Sequence, residues 1–287
     1  SQKFLAELMI IWLSSYPKSG NTWLRSFLVS YYFTDNGIFD FKDLSRIPDY
    51  PSKSFLDKKV DIRAINQGDI YKYWETSQKK ISLNQKAKFL KTHNSFKPIN
   101  NVPFTKVDYT LGVIHIIRDP RNIITSIKNH FSFIDYEQSL KFMQTEGAFM
   151  KGEDNARYST IDSWRTHYIS WMSDRTLKRI TIKYEEMEDR PEETFSKIIN
   201  FINSICKIKE GIVKSKLTNS INSTKFDLLK KGEENGKFNE NVIKNNNKIK
   251  FFNMGPKNKW EKVLPEKIQL QMNIYYNEDL KNLGYSK

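Results

Sequence analysis

Short apolar runs alternate with helically spaced apolar positions along this chain. The first run stops at Ser14 and Ser15, a short loop follows, and helical spacing resumes from Trp23. The run at residues 108–117 is almost continuously apolar and mostly β-branched or aromatic, which is typical of a buried strand in a parallel sheet. Asp119 as an N-cap and Pro120 as the first helical residue predict a helix that continues to about residue 131.

The remaining pattern continues this alternation of strands and helices. We predict further strands at residues 89–93 and 179–184, and helices at 65–79, 162–175, 191–205 and 265–283. Shorter helical stretches are predicted at 212–217 and 226–231, a turn-rich segment at 34–59, an insertion or lid at 132–160, and an Asn/Lys-rich loop or flexible segment at 244–250. The pattern predicts one α/β domain, with a central parallel β-sheet flanked by helices.

Composition sets broad limits on this domain. The 287 residues are 38% hydrophobic and 14% aromatic, which is sufficient for a large core, and we assign residues 1–287 to a single domain. Residues 1–8 are interpreted as an extension or an expression remnant before Met9. The net charge of +14 favours anionic partners, although lysine and asparagine are frequent throughout the chain.

The cysteine count and the lengths of the apolar runs exclude several classes of protein. Cys206 is the only cysteine, so the chain has no disulfide framework and no cysteine-based metal cluster, as expected in a reducing compartment. No apolar run approaches the roughly 20 residues of a membrane span, and residues 1–8 lack signal-peptide features. We therefore expect a cytoplasmic protein without stable membrane insertion.

The loop between the first strand and the first helix has the features of an anion site. A strand that leads into a helix N-terminus directs backbone N–H groups and the positive end of the helix dipole towards one point, and Lys18 adds a charge. The alternative is an ordinary strand–turn–helix connection with an incidental lysine. The loop does not match the P-loop pattern G-x-x-x-x-G-K-[ST], because its lysine precedes Gly20 and no first glycine is present.

Three short motifs, at residues 16–23, 118–126 and 91–93, resemble those of cytosolic-type sulfotransferases that use 3′-phosphoadenosine 5′-phosphosulfate (PAPS). Residues 16–23 differ from the family's Y-P-K-S-G-T-T-W only at Asn21, and residues 118–126 are similar to its R-[DN]-P-[RK]-D-x-x-x-S segment. Residues 91–93 resemble its K-T-H segment. The resemblance implies catalytic roles for Lys18, Lys91 and His93, with the histidine as base. It also implies donor binding by Ser19, Gly20, Asn21, Thr22, Trp23, Arg118 and Ser126.

Later segments match the family less well. Tyr184 begins a stretch similar to Y-E-D-[ML], and Thr224 and Phe226 fall in a T-S-F-like segment, which implies contacts with the donor, although core packing is the alternative for Phe226. The last motif keeps Gly255 and Trp260, but the Arg-Lys pair that grips the 3′-phosphate in the family is replaced by asparagine and methionine at 253–254. Lys257 or Lys259 is the candidate for the missing charge.

The resemblance implies a P-loop-NTPase-like fold and transfer of a sulfuryl group from PAPS to a hydroxyl or amine, leaving 3′-phosphoadenosine 5′-phosphate (PAP). It implies no metal. We expect a small-molecule, sugar or lipid acceptor, no nucleic-acid partner and a bacterial source, and we leave a homodimer open. The sequence does not identify the acceptor: Tyr71, Tyr73, Trp74, Phe131 and Phe133 are candidates for lining its pocket or for the core.

Two other functions remain open at this point. A P-loop-like small-molecule kinase would require a nucleoside triphosphate and Mg²⁺, and the G-K-[ST] order that serves the metal is missing. A basic nucleic-acid-binding protein would fit the net charge, but its binding would have to depend steeply on salt and no such motif is recognised.

Overall fold

Parallel strands form the central sheet of the protein. The computed structural model describes residues 9–82, 87–152, 155–238, 240, 242–244 and 247–286. Its strands are β1 (Ile10–Ser15), β2 (Lys88–Thr92), β3 (Thr110–Ile117), β4 (Phe149–Lys151), β5 (Tyr158–Thr160), β6 (Arg179–Lys183), β7 (Val242–Lys244) and β8 (Asn247–Ile249). The described sheet has the order β2-β1-β3-β6 and is parallel throughout, while β4–β5 and β7–β8 form separate antiparallel hairpins.

Helices cover both faces of this sheet. They are α1 (Asn21–Phe33), α2 (Trp74–Ser82), α3 (Pro120–Phe131), α4 (Tyr136–Gln144), α5 (Trp164–Ser173), α6 (Tyr184–Asp189), α7 (Pro191–Ile205), α8 (Lys214–Ser223), α9 (Phe226–Glu234), α10 (Trp260–Val263), α11 (Glu266–Tyr275) and α12 (Asn277–Asn282). Alternate residues of β1 enter different cores: Leu13 packs with α1 and α7, whereas Trp12 packs with α2 and α5. Burial on both faces explains why β1 and β3 are almost continuously apolar.

Most predicted elements are present, and three predictions need correction. Residues 65–79 are not one α-helix, because a 3₁₀ segment (Gln67–Tyr73) precedes α2. The predicted loop at 244–250 contains β8 and the end of β7. The closing helix at 265–283 is two helices that meet at Tyr276, whose buried ring packs against Trp164. Each correction reflects backbone pairing or packing that local periodicity does not report.

The segment at 132–160 contains α4 and the β4–β5 hairpin. Its role as an insertion or lid stays a prediction, and residues 153–154 within it lie outside the described residues, as do residues 1–8. Within the described ranges, no helix has the length and apolar character needed to cross a bilayer. Cys206 is a buried free thiol, and the described His, Cys, Asp and Glu residues form no group of three suited to a metal.

Candidate active site

The connection from β1 to α1 forms the centre of the site. Lys18 and Gly20 both have a positive φ, of 66° and 100°, and Gly20 occupies the N-cap position without a side-chain cap. The first intrahelical bond runs from Leu24 N–H to the Gly20 carbonyl, so the amides of residues 21–23 have no partner within the helix. A Cβ at Gly20 would lie 2.5 Å from Cδ2 of Tyr184. Glycine is therefore required here both for the positive φ and for the close approach of the tyrosine ring.

Lys18 places its ammonium group in a partly buried, positively charged environment. Its Nζ lies 3.5 Å from the ring centroid of Phe251. Burial, together with the positive charges of Lys91 and Arg118, lowers the pKa of Lys18 to about 7, and Glu233 opposes this shift. A bound anion would favour the charged form of Lys18, so this lysine would gain a proton when a phosphate or sulfate binds beside it.

Arg118 follows β3 and reaches the same loop. Its Nη1 donates to the Lys18 carbonyl at 3.1 Å, and its guanidinium lies 3.8 Å from the ring centroid of Tyr184. The side chain is buried, and its Nε has no partner among the described residues. Ser126, two turns into α3, lines the same cavity. These groups can donate several hydrogen bonds to one phosphate.

His93 lies directly after β2, and one nitrogen of its ring forms a hydrogen bond with the backbone. Its Nδ1 is 2.8 Å from the carbonyl oxygen of Ser15, which can only accept, so Nδ1 carries the hydrogen and Nε2 has the free lone pair. Burial and Lys91 lower the pKa of His93 to about 3, while the Ser15 carbonyl and Asp49 act in the opposite direction. The imidazole is therefore neutral at pH 7 with a lone pair at Nε2. The negative charge of a bound phosphorylated donor would raise its pKa and make it a stronger base.

A cavity of about 840 Å³ brings most of the predicted residues together. Its lining includes three groups with predicted catalytic roles and nine predicted donor contacts: Lys18, Lys91, His93, Gly20, Asn21, Thr22, Trp23, Arg118, Ser126, Tyr184, Phe226 and Gly255. Asn21, the departure from the family motif, donates from Nδ2 to the Leu13 carbonyl at 3.0 Å and to Ser15 Oγ at 3.1 Å. Its amide thus fixes the start of α1 to the end of β1.

Three of the predicted donor contacts are not in this lining. Ser19 is buried with an Oγ that has no partner in the described structure. The hydroxyl of Thr224, the residue after α8, donates to the Ser220 carbonyl of that helix at 2.7 Å. Lys257 is exposed and lies outside the cavity lining. Lys259, the other candidate for the missing charge, lies 3.1 Å from a carboxylate oxygen of Glu188.

The predicted acceptor aromatics do not line the cavity either. Tyr71 and Trp74 are buried with Trp12 in one core cluster. Phe131 and Phe133 stack with ring centroids 5.6 Å apart in another, and Tyr73 packs on a small cluster around Ile70. Core packing was one of the two alternatives for these residues, and the described structure supports it.

Sequence reasoning missed several residues of the lining. They are Arg25, Asp49, His130, Glu240 and Phe251. Arg25 has a local signal, because it is a charged residue within an otherwise apolar part of α1. The position of Asp49 depends on Tyr50 N–H pairing with the Lys91 carbonyl at 2.8 Å, a long-range contact with no local signature. Burial, Lys18 and Lys91 lower the pKa of His130 to about 3.

Comparison with known proteins shows to which family the chain belongs. A model of the sulfotransferase domain family matches residues 9–284. The chain belongs to the sulfotransferase family. Sulfotransferase 1A1 of Rattus norvegicus is 26% identical over 206 residues, and that of Canis lupus familiaris is 24% identical over 206 residues. Each alignment includes 70% of this chain but only 62% and 61% of the relative. These relatives are mammalian, so a bacterial source stays a prediction.

Solved sulfotransferase structures show the same fold. Mouse sulfotransferase SULT7A1 complexed with PAP has a TM-score of 0.55 at 19% identity, covering 96% of this chain and 86% of that one. Retinol dehydratase in complex with androsterone and PAP has a TM-score of 0.60 at 14% identity, covering 96% and 82%. The predicted α/β fold with a central parallel sheet and helices on both faces is confirmed.

Proposed function

We propose that this sulfotransferase domain transfers a sulfuryl group from PAPS to an acceptor hydroxyl or amine. The observation that carries the proposal is one cavity that contains Lys18, Arg118 and His93 around the uncapped N-terminus of α1. Cations and unpaired amides are suited to a phosphorylated donor, while a neutral imidazole is suited to an acceptor that must lose a proton. Family membership and the PAP complexes of the structural relatives support this function over a kinase.

The residues fit a doubly phosphorylated nucleotide. The amides that open α1, together with Lys18, would hold the 5′-phosphosulfate, and Arg118 with Ser126 would hold the 3′-phosphate. The unpartnered, buried Nε of Arg118 supports this assignment, since an unsatisfied charged donor is costly unless a ligand pairs with it. Tyr184 and Phe226 would pack beside the purine.

The chain's own groups account for the proton and charge movements of the reaction. When bound, the donor supplies the sulfuryl group, whose sulfur forms a bond to the acceptor oxygen as the bond to the 5′-phosphate oxygen breaks. Nε2 of His93 accepts the proton of the acceptor hydroxyl, and the Nδ1–H bond to Ser15 holds the ring in place. Lys18 and the α1 amides stabilise the negative charge that develops on the leaving phosphate, and Lys91 adds positive potential.

Calorimetric titration of the protein with PAP, ATP and AMP tests the donor assignment. We expect PAP to bind at least about tenfold more tightly than either competitor, because it alone carries a phosphate for each of the two anion sites. Turnover with PAPS should also persist in EDTA. Equal or tighter binding of ATP, combined with a requirement for Mg²⁺, would support the kinase instead.

A further inference from the structure

One wall of the cavity, beside His93, carries fixed charges of both signs. We name Arg25, Asp49, Lys91 and Glu240 the charged wall; all four line the cavity. Lys91 Nζ lies 2.9 Å from Asp49 Oδ1, and Arg25 Nη2 lies 2.8 Å from Glu240 Oε1. Arg25 is also fixed from behind, since its Nε donates to the Ile47 carbonyl at 3.0 Å.

The two carboxylates, rather than the two cations, are the accessible part of the charged wall. The side chains of Asp49 and Glu240 are 36% and 32% exposed, whereas those of Lys91 and Arg25 are 11% and 2% exposed. Burial raises the pKa of both carboxyls. The positive charges of Lys91 and Arg25 together lower it by a larger amount, so the pKa of each carboxyl lies below its usual range. The wall therefore presents ionised oxygens that accept hydrogen bonds, held in place by the cations behind them.

The segment that carries Asp49 adds hydroxyl groups to the same cavity. Ser45, Ser52 and Ser54 line it, and the hydroxyls of Ser52 and Ser54 lie 2.9 Å apart. The Tyr50 ring is buried at 2% exposure and its hydroxyl lies 2.7 Å from Ser77 Oγ, so it offers little apolar surface. Fixed acceptors next to hydroxyls that both donate and accept are complementary to a ligand with several hydroxyls.

The charged wall has no unpaired negative charge for a cationic acceptor. Lys91 is paired with Asp49 and Arg25 with Glu240, the two carboxylates of the described lining. A protonated amine would have to displace one of these cations from its carboxylate. A flat phenol or a steroid would displace water from the charged wall without replacing its hydrogen bonds, which is unfavourable for ionised groups.

We infer that the acceptor is a polyhydroxylated, saccharide-like molecule, and that Asp49 accepts a hydrogen bond from a hydroxyl next to the one that faces His93. This inference rests on the proposed sulfuryl transfer and names its acceptor class. Asp49 is then a specificity-determining and positioning residue, because it orients the acceptor while His93 takes the proton. The ion pair with Lys91 holds the Asp49 carboxylate in place, close enough to His93 for its charge to raise the pKa of that ring.

The first test compares acceptors with the unaltered protein at saturating PAPS. Methyl glucoside and maltose represent saccharides, 2-naphthol and a steroid alcohol represent apolar acceptors, and PAP release measures transfer. We expect kcat/KM for the better saccharide to exceed that of both apolar acceptors by about tenfold or more, and single deoxygenation next to the sulfated hydroxyl to lower it by a similar factor. Faster transfer to an apolar acceptor, or transfer to neither saccharide, would overturn the inference.

The second test uses Asp49→Asn, which keeps the size of the side chain and removes its charge. We expect KM for the saccharide to rise about tenfold with a smaller change in kcat, while the Kd for PAP stays within about twofold. Asp57→Asn is the matched control, because Asp57 is exposed in the same segment outside the cavity lining. Unchanged KM in a folded Asp49→Asn variant would remove Asp49 from the inference. Failure of the unaltered protein to bind PAP would instead refute the proposed function.

Discussion

The ammonium group of Lys18 should make donor binding depend on pH between pH 7 and pH 9. Burial and the charges of Lys91 and Arg118 lower its pKa from 10.5 to about 7 in the free protein. A phosphate bound at the α1 N-terminus would favour the charged amine and raise that pKa again. Binding therefore takes up a proton, and affinity for PAP should fall as the pH rises through 7.

The magnitude follows from the free-protein pKa. At pH 7 about half of the molecules carry a neutral Lys18, and at pH 8 about nine tenths do. Each further pH unit should raise the Kd for PAP about tenfold, or about 1.4 kcal/mol, until the pKa of the bound state is reached. The phosphates of PAP complete their second ionisation near pH 6, so they do not cause a loss of affinity in this range.

Calorimetry in two buffers with different ionisation enthalpies counts the protons directly. We expect an uptake of about half a proton per PAP at pH 7 and about 0.9 at pH 8 for the unaltered protein. Lys18→Met should bind PAP weakly with an uptake near zero, whereas Lys141→Met, which alters an exposed lysine of α4, should match the unaltered protein. A Kd that is constant between pH 7 and pH 9, or no uptake at pH 8, would refute this reasoning.

Three further variants test other parts of the site. His93→Ala should abolish detectable sulfuryl transfer while PAP still binds in calorimetry, since the imidazole serves the acceptor rather than the donor. Gly20→Ala should lower both the melting temperature and PAP affinity, because its Cβ would meet a tyrosine ring at 2.5 Å; Gly236→Ala, also at positive φ but with nothing within 4 Å, separates steric conflict from backbone strain. Asn253→Arg combined with Met254→Lys should tighten PAP binding about fivefold at low salt and less at high salt, and no change would show that this segment does not face the 3′-phosphate.

The sequence by itself determined the elements that form the proposed donor site. The loop around Lys18 and Gly20 is local: a buried strand, a glycine and a helix start within fifteen residues, so residue type and order define it. The same holds for Arg118, which follows a strand and precedes a helix with Asp119 as its N-cap. Helices such as α7 match their predicted bounds because an amphipathic stripe and a Pro start are encoded in consecutive residues.

Only the tertiary structure decided which residues lie opposite the proposed donor site. Asp49 and Glu240 lie in segments without a recognisable motif, and they reach the cavity because distant backbone and side-chain contacts to Lys91 and Arg25 place them there. In the same packed structure Tyr71 and Trp74 lie in the core, and the hydroxyl of Thr224 bonds to its own helix rather than facing the cavity. The closing helix is divided at Tyr276. Local order in the chain thus encodes a strand, loop or helix start, whereas the charged wall is assembled from contacts that no short stretch of sequence contains.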